Sequence, residues 1–127
     1  MVKVYLLINA GFYLVFSLWC LFNPKGTATF QGYDFVNNSG KTEYLSVYAG
    51  LEFGFSVFLV LSAFLPSARL AGLIFCVCIY GGLMIVRPIA AIVYGNVDKA
   101  TYLIGSLEYV LGIVGIILLV RDHGFKG

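Results

Sequence analysis

A chain of 127 residues that is 61% apolar, 17% aromatic and only 11% charged carries more apolar surface than a soluble core of its size can hide. Its net charge of +2, with no basic stripe and no aromatic stacking platform, argues against nucleic acid as a partner. The expected solvent for most of this surface is the lipid bilayer.

The first apolar element runs from Val4 to Phe22 and ends at Asn23-Pro24-Lys25-Gly26. It is long for a cleaved signal, and Leu21-Phe22-Asn23-Pro24 is not a small-residue cleavage site, so it is expected to stay as a helix. Asn9, Tyr13, Ser17 and Cys20 form a polar stripe along it at helical spacing, while Trp19 and Phe22 fit an interfacial aromatic belt. The long connection from Asn23 to Glu43 is polar but also carries Phe30, Phe35 and Val36. It is either a solvated connector or a lid over one end of the bundle.

The second element, Tyr44 to Leu65, contains Gly50 and Gly54 in a G-x-x-x-G pattern, which allows close packing within the chain or against a second copy in a homo-oligomer. Pro66-Ser67 turns the chain, with Ser67 an expected N-cap for the third element, Leu70 to about Tyr94. Gly95-Asn96-Val97-Asp98 turns it again into the fourth, Ala100 to Val120. Each stretch reaches the roughly 20 residues that a helix needs to cross hydrocarbon, and the short alternating segments of a barrel are missing. Short connections make helices two to four antiparallel neighbours. The expected fold is all-α: a polytopic four-transmembrane-helix antiparallel bundle forming a single domain over residues 1–127.

With four spans both termini share a side. Placing them in the cytoplasm puts Lys3, Arg69, Arg121 and Lys126 inside, against Lys25, Lys41 and Lys99 outside, as the positive-inside rule favours.

Three charged side chains fall within the spans: Glu52, Arg87 and Glu108. Intramembrane charges are rare and costly, and they mark pathways and binding sites. With helices alternating in direction, each lies about 8 residues from the same membrane face, or about 12 Å deep, so the three can meet. Small residues accompany the glutamates: Ala49 near Glu52, and Gly105, Gly112 and Gly115 on the face of Glu108. That pattern points both carboxylates inward. Tyr13, Ser17, Tyr48 and Tyr94 could complete the hydrogen bonds that buried charges demand. One glutamate is expected to pair with Arg87, bidentately if geometry permits; the other, desolvated and beside a like charge, is driven to hold a proton. Either the trio locks the bundle, or it binds a ligand, an ion or a proton.

Tyr48-Ala49-Gly50-Leu51-Glu52-Phe53 echoes Ile104-Gly105-Ser106-Leu107-Glu108-Tyr109, which suggests two parallel helical hairpins, each supplying one glutamate. Cys20, Cys76 and Cys78 lack metal spacing and are expected to be small packing residues, and His123 at the membrane surface is not expected to be a ligand. No Ser/His/Asp set, phosphate loop or zinc motif is present, so no catalytic residue, metal or cofactor is assigned and an enzyme is not the leading expectation.

The run from Tyr48 through Gly54, Arg87 followed by Tyr94-Gly95, and Leu107-Glu108-Tyr109 together resemble a family of small bacterial four-helix membrane proteins of unassigned function, within a broader DoxX-like group. Val86 stands where that family has a glycine before the arginine, and Pro88 follows it. The resemblance implies the four-helix fold and a bacterial inner membrane, and by analogy a link to quinone-dependent redox systems. The functional expectation is therefore an apolar or amphipathic ligand, or a proton, bound in an interhelical pocket lined by Glu52, Arg87 and Glu108. The alternatives are a membrane subunit assisting a redox enzyme in contact with quinone, and a structural partner whose charges only specify packing.

Overall fold

The computed structural model describes residues 1–123, without the His123 side chain; Lys126, counted above, lies outside the described residues. The described residues fold into five helices: α1 (Val2–Phe22), α2 (Pro24–Gln31), α3 (Asn38–Phe64), α4 (Arg69–Tyr94) and α5 (Lys99–His123). All but α2 are long and apolar enough to cross a membrane, and the protein is an integral membrane protein built as an all-α four-helix bundle.

The long connection is more ordered than its composition suggests. Asn23 accepts a hydrogen bond from Gly26 N at 3.1 Å, Pro24 occupies the first turn of α2, and Gly32 ends it at φ 85°, a left-handed conformation that favours glycine. Asn37 likewise caps α3, accepting from Gly40 N at 2.9 Å, so this helix starts at Asn38 rather than at Tyr44. Polarity of the Asn38 to Glu43 segment therefore marks a helix projecting beyond the apolar span, not a loop. Ser67 does not cap α4: the turn is a 3-10 stretch, Pro66–Ala68, with no side-chain cap.

Packing follows the two hairpins. α1 lies chiefly along α3 and α4 chiefly along α5, with thinner contact between the two pairs. Leu6, Leu59 and Leu73 are fully buried where α1, α3 and α4 meet, and Leu118 adds α5 to the same core. Polar side chains tie the helices across this core. Tyr5 donates to the Leu111 carbonyl at 2.7 Å, Ser56 donates to the Ala10 carbonyl at 2.8 Å, and Tyr80 donates to Asn9 Oδ1. Arg121 Nη2 approaches Met1 Sδ at 3.2 Å, which brings the start of α1 and the end of α5 to one end of the bundle.

The expected self-similarity holds for the pairing but not for the backbone. Ser46–Leu51, just before Glu52, forms wide π turns inside α3, whereas the matching segment of α5 is regular α-helix. Gly50 and Gly54 lie on the exposed side of α3, with no other helix near the position of a Cβ, so they do not serve packing within the chain.

Pro88 sits inside α4 and has no N–H to give to the Met84 carbonyl one turn back. Tyr109 of α5 supplies the missing donor, its hydroxyl lying 2.8 Å from Met84 O. In lipid such a carbonyl has no water to turn to, so the phenol both satisfies it and pins α5 to α4. Tyr109→Phe should lower bundle stability by about 1 kcal/mol. In a Pro88→Ala background, where residue 88 regains its N–H, the same change should cost much less. A double-mutant cycle from melting in bicelles measures this coupling, and additive losses would show that Tyr109 acts independently of the proline.

Candidate functional site

Arg87 stands on α4 seven residues before its last residue, and Glu108 on α5 nine residues after its first. Antiparallel packing brings them level. Arg87 Nε donates to Glu108 Oε2 at 2.7 Å and Nη2 to Oε1 at 2.6 Å, a fork-to-fork pair. The expected salt bridge is therefore present, and Glu108 is the partner.

Glycines make the approach possible. A Cβ on Gly105 would stand 3.0 Å from Arg87 Cδ, so this glycine leaves room for the arginine stem. A Cβ on Gly112 would meet Met84 and Tyr80, and one on Gly115 would meet the Tyr5 hydroxyl. The small face of α5 read from the sequence is the face on which α4 and α1 lie.

Glu52 does not join the pair. Among the described residues the ion pairs are Arg87 with Glu108 and Arg121 with Asp122. Glu52 Oε2 is buried and has no hydrogen-bond partner among the described residues, while the carboxylate stays within electrostatic reach of Glu108. The trio is thus a closed pair and one separate acid. Summed over the three, an ionised Glu52 leaves one excess negative charge in the interior.

The remaining predicted site residues divide. Tyr13 is half-buried on α1. Its ring packs edge-on against Phe55, 5.5 Å between centroids. Ser17 is buried but spends its hydroxyl on the Leu14 carbonyl of its own helix at 3.1 Å. Tyr48 turns to the connection, its hydroxyl 2.7 Å from that of Tyr33. Tyr94 is 83% exposed at the last residue of α4.

A groove of about 370 Å3 opens beside the pair, between α4 and α5. Arg87 and Gly105 form its base, with Pro88, Thr101, Ser106 and Tyr109 around them, and the lining is mostly apolar. Tyr102, Ser106 and Tyr109 are exposed at the level where lipid would be, so the mouth is lateral. Arg87 retains 29% exposure against 13% for Glu108, and its Nη1 makes no hydrogen bond among the described residues. Glu52 and Glu108 do not line this groove, although Glu108 holds the Arg87 that does. Sequence reasoning missed Tyr109 and Ser106. The only cue to Tyr109 was the donor missing at Pro88, and nothing in the sequence says which side chain replaces it.

Above the site, the connection covers the bundle end. Tyr44 donates to Gln31 Oε1 at 2.6 Å and stands 3.0 Å from Thr27 Oγ1, and Cys20, Ala28 and Tyr44 are buried together. Tyr33, Phe35 and Tyr48 stack around Tyr44. All three cysteines are free, Cys20 and Cys76 buried and Cys78 exposed.

The fold and site define a four-helix integral membrane protein with a forked ion pair at the base of a lipid-facing groove. No protein-family model matches the chain, nor does any curated protein or solved structure.

Arg87→Ala should cost about 3 kcal/mol, because it leaves Glu108 buried without its counter-ion beside a second carboxylate. Glu108→Gln keeps an acceptor oxygen for Arg87 and should cost about 2 kcal/mol. Glu52→Gln breaks no ion pair and should stay within about 0.5 kcal/mol of the parent. Unfolding in mixed micelles ranks the three, and a Glu52→Gln loss equal to that of Arg87→Ala would place Glu52 in the pair.

Proposed function

We propose that the protein binds an amphipathic ligand drawn from the bilayer in the groove between α4 and α5, with Arg87 as its polar anchor. The observation that carries this reading is a guanidinium fixed by Glu108 yet keeping unused N–H groups at the base of a mostly apolar, laterally open groove. Such sites pair apolar walls with a few oriented polar groups. The Arg87–Glu108 pair is neutral as a unit, so an uncharged headgroup with an acceptor oxygen suits the site better than an anion. A carbonyl meets this description. The quinone-linked role implied by the DoxX-like resemblance would use the same anchor, a quinone carbonyl accepting from Arg87. Thermal protection of the detergent-solubilised protein by decylubiquinone and by a C12 monoacylglycerol tests the reading. At least one should protect the parent, and Ser106→Phe, which narrows the groove from an exposed position without touching the pair, should weaken that ligand about tenfold. No protection of the parent by either amphiphile, or equal protection of Ser106→Phe, would leave the trio as a packing device.

A second reading rests on Glu52, whose buried Oε2 lacks a hydrogen-bond partner among the described residues. It makes this acid the proton-exchanging member of the site, coupled to occupancy of the groove through Tyr13 and Glu108. Orientation follows the basic residues: Lys3, Arg69 and Arg121 lie at one end of the bundle, and that end is assigned to the cytoplasm of a bacterial inner membrane.

A further inference from the structure

The end of the bundle opposite the lid holds a second concavity, about 400 Å3, where the first turn of α1, the Pro66 turn and the last turn of α5 meet. Lys3, Arg69 and Asp122 line it with Val2, Pro66 and Leu70. Three features give it a chemical character. Arg69 Nε donates to the Ala63 carbonyl at 3.2 Å, in the last turn of α3 where helical donors run out. That bond holds the side chain in place, and Nη1 and Nη2 make no hydrogen bond among the described residues. Lys3 Nζ sits 4.5 Å over the Phe64 ring and forms no ion pair among the described residues. Asp122 is bound by Arg121, Nε to Oδ1 at 2.9 Å, so the one acid among the described wall residues is already neutralised.

Among the described side chains, Lys3 and Arg69, beside an Asp122 already paired with Arg121, leave the concavity with an excess of two positive charges. Its position is equally specific. Lys3 and Arg69 stand in the first turns of two spanning helices, and Leu65 and Leu70, both exposed, form an apolar collar beside them. A charged headgroup could enter the concavity while its acyl chains run down past that collar. We propose that this end pocket is a docking site for the phosphate headgroup of an anionic glycerophospholipid, held by Lys3 and Arg69. A zwitterionic lipid would bring its own cation into an already positive site and gain less. A free phosphate would forgo the contact of the chains with the collar.

Native mass spectrometry of the full chain released from detergent, titrated with dioleoylphosphatidylglycerol or dioleoylphosphatidylcholine, tests this. The parent should retain the anionic lipid at least fivefold more tightly. Each of Lys3→Gln and Arg69→Gln should weaken it about fivefold, and the double variant about 25-fold, the scale set by one basic side chain at an anionic surface. Arg69→Lys, which keeps the charge, should stay within about twofold, and Asp122→Asn should tighten binding by removing the acid from the wall. Lys25→Gln, at the other end, should change nothing. Equal retention of both lipids, full retention by the double variant, or displacement by equimolar inorganic phosphate would each overturn the proposal. Because none of these residues touches the Arg87 groove, the outcome is independent of the ligand proposed there.

Discussion

An arginine inside hydrocarbon cannot shed its proton, so the structure around it is organised by the need to give its N–H groups acceptors. The bidentate pair with Glu108 meets that need for Nε and Nη2 and dictates much of the second hairpin. Gly105 must be small for the arginine stem to pass, and Gly112 and Gly115 continue the same bare strip so that α4 and α1 can lie close. Pro88, one residue on, would leave the Met84 carbonyl without a donor, and Tyr109, one residue after Glu108, provides it. Two adjacent residues on one helix are thus answered by two adjacent residues on the other. This doubles the fixing of register where one ion pair alone would leave the helices free to pivot.

Apolar spans were legible because the bilayer requires length and composition, and both are written locally in the chain. Pairing of Arg87 with a glutamate was legible for a related reason: equal depth and a small-residue face leave few other partners. Which glutamate was not legible. Both precede an aromatic residue and follow leucine, and the distinction arises because α4 lies mainly along α5, a fact about tertiary packing. The capped helices at Pro24 and Asn38 were hidden by composition, since polar residues in a helix outside the membrane resemble polar residues in a loop. Asn23-Pro24 and Asn37 did carry local capping signals. Tyr94 shows the opposite error: sharing a helical face with Arg87 does not keep a side chain in the interior, and this tyrosine is 83% exposed at the last residue of α4.

Glu52 sits where the two kinds of order meet. Before it run the π turns of Ser46–Leu51, which carry Tyr48 into the aromatic cap, with Tyr44 of the same cap just ahead of them. A π stretch places an extra residue in the helix and often accompanies functional positions. Here it lets the cap residues and Glu52 keep different faces on one continuous helix. The acid stays in the interior while the tyrosines turn to the connection.

The separation of Arg87 from Glu108 also bears on biogenesis. α1 can enter the bilayer alone, because the Asn9 amide donates at 2.8 Å to the Tyr5 carbonyl of its own helix. α4 has no such self-sufficiency: its arginine costs about 3 kcal/mol at the centre of a lone helix on the translocon scale. Its counter-charge arrives 21 residues later. The last two spans are therefore best delivered to lipid together, as a hairpin whose ion pair closes while the insertion machinery still shields it.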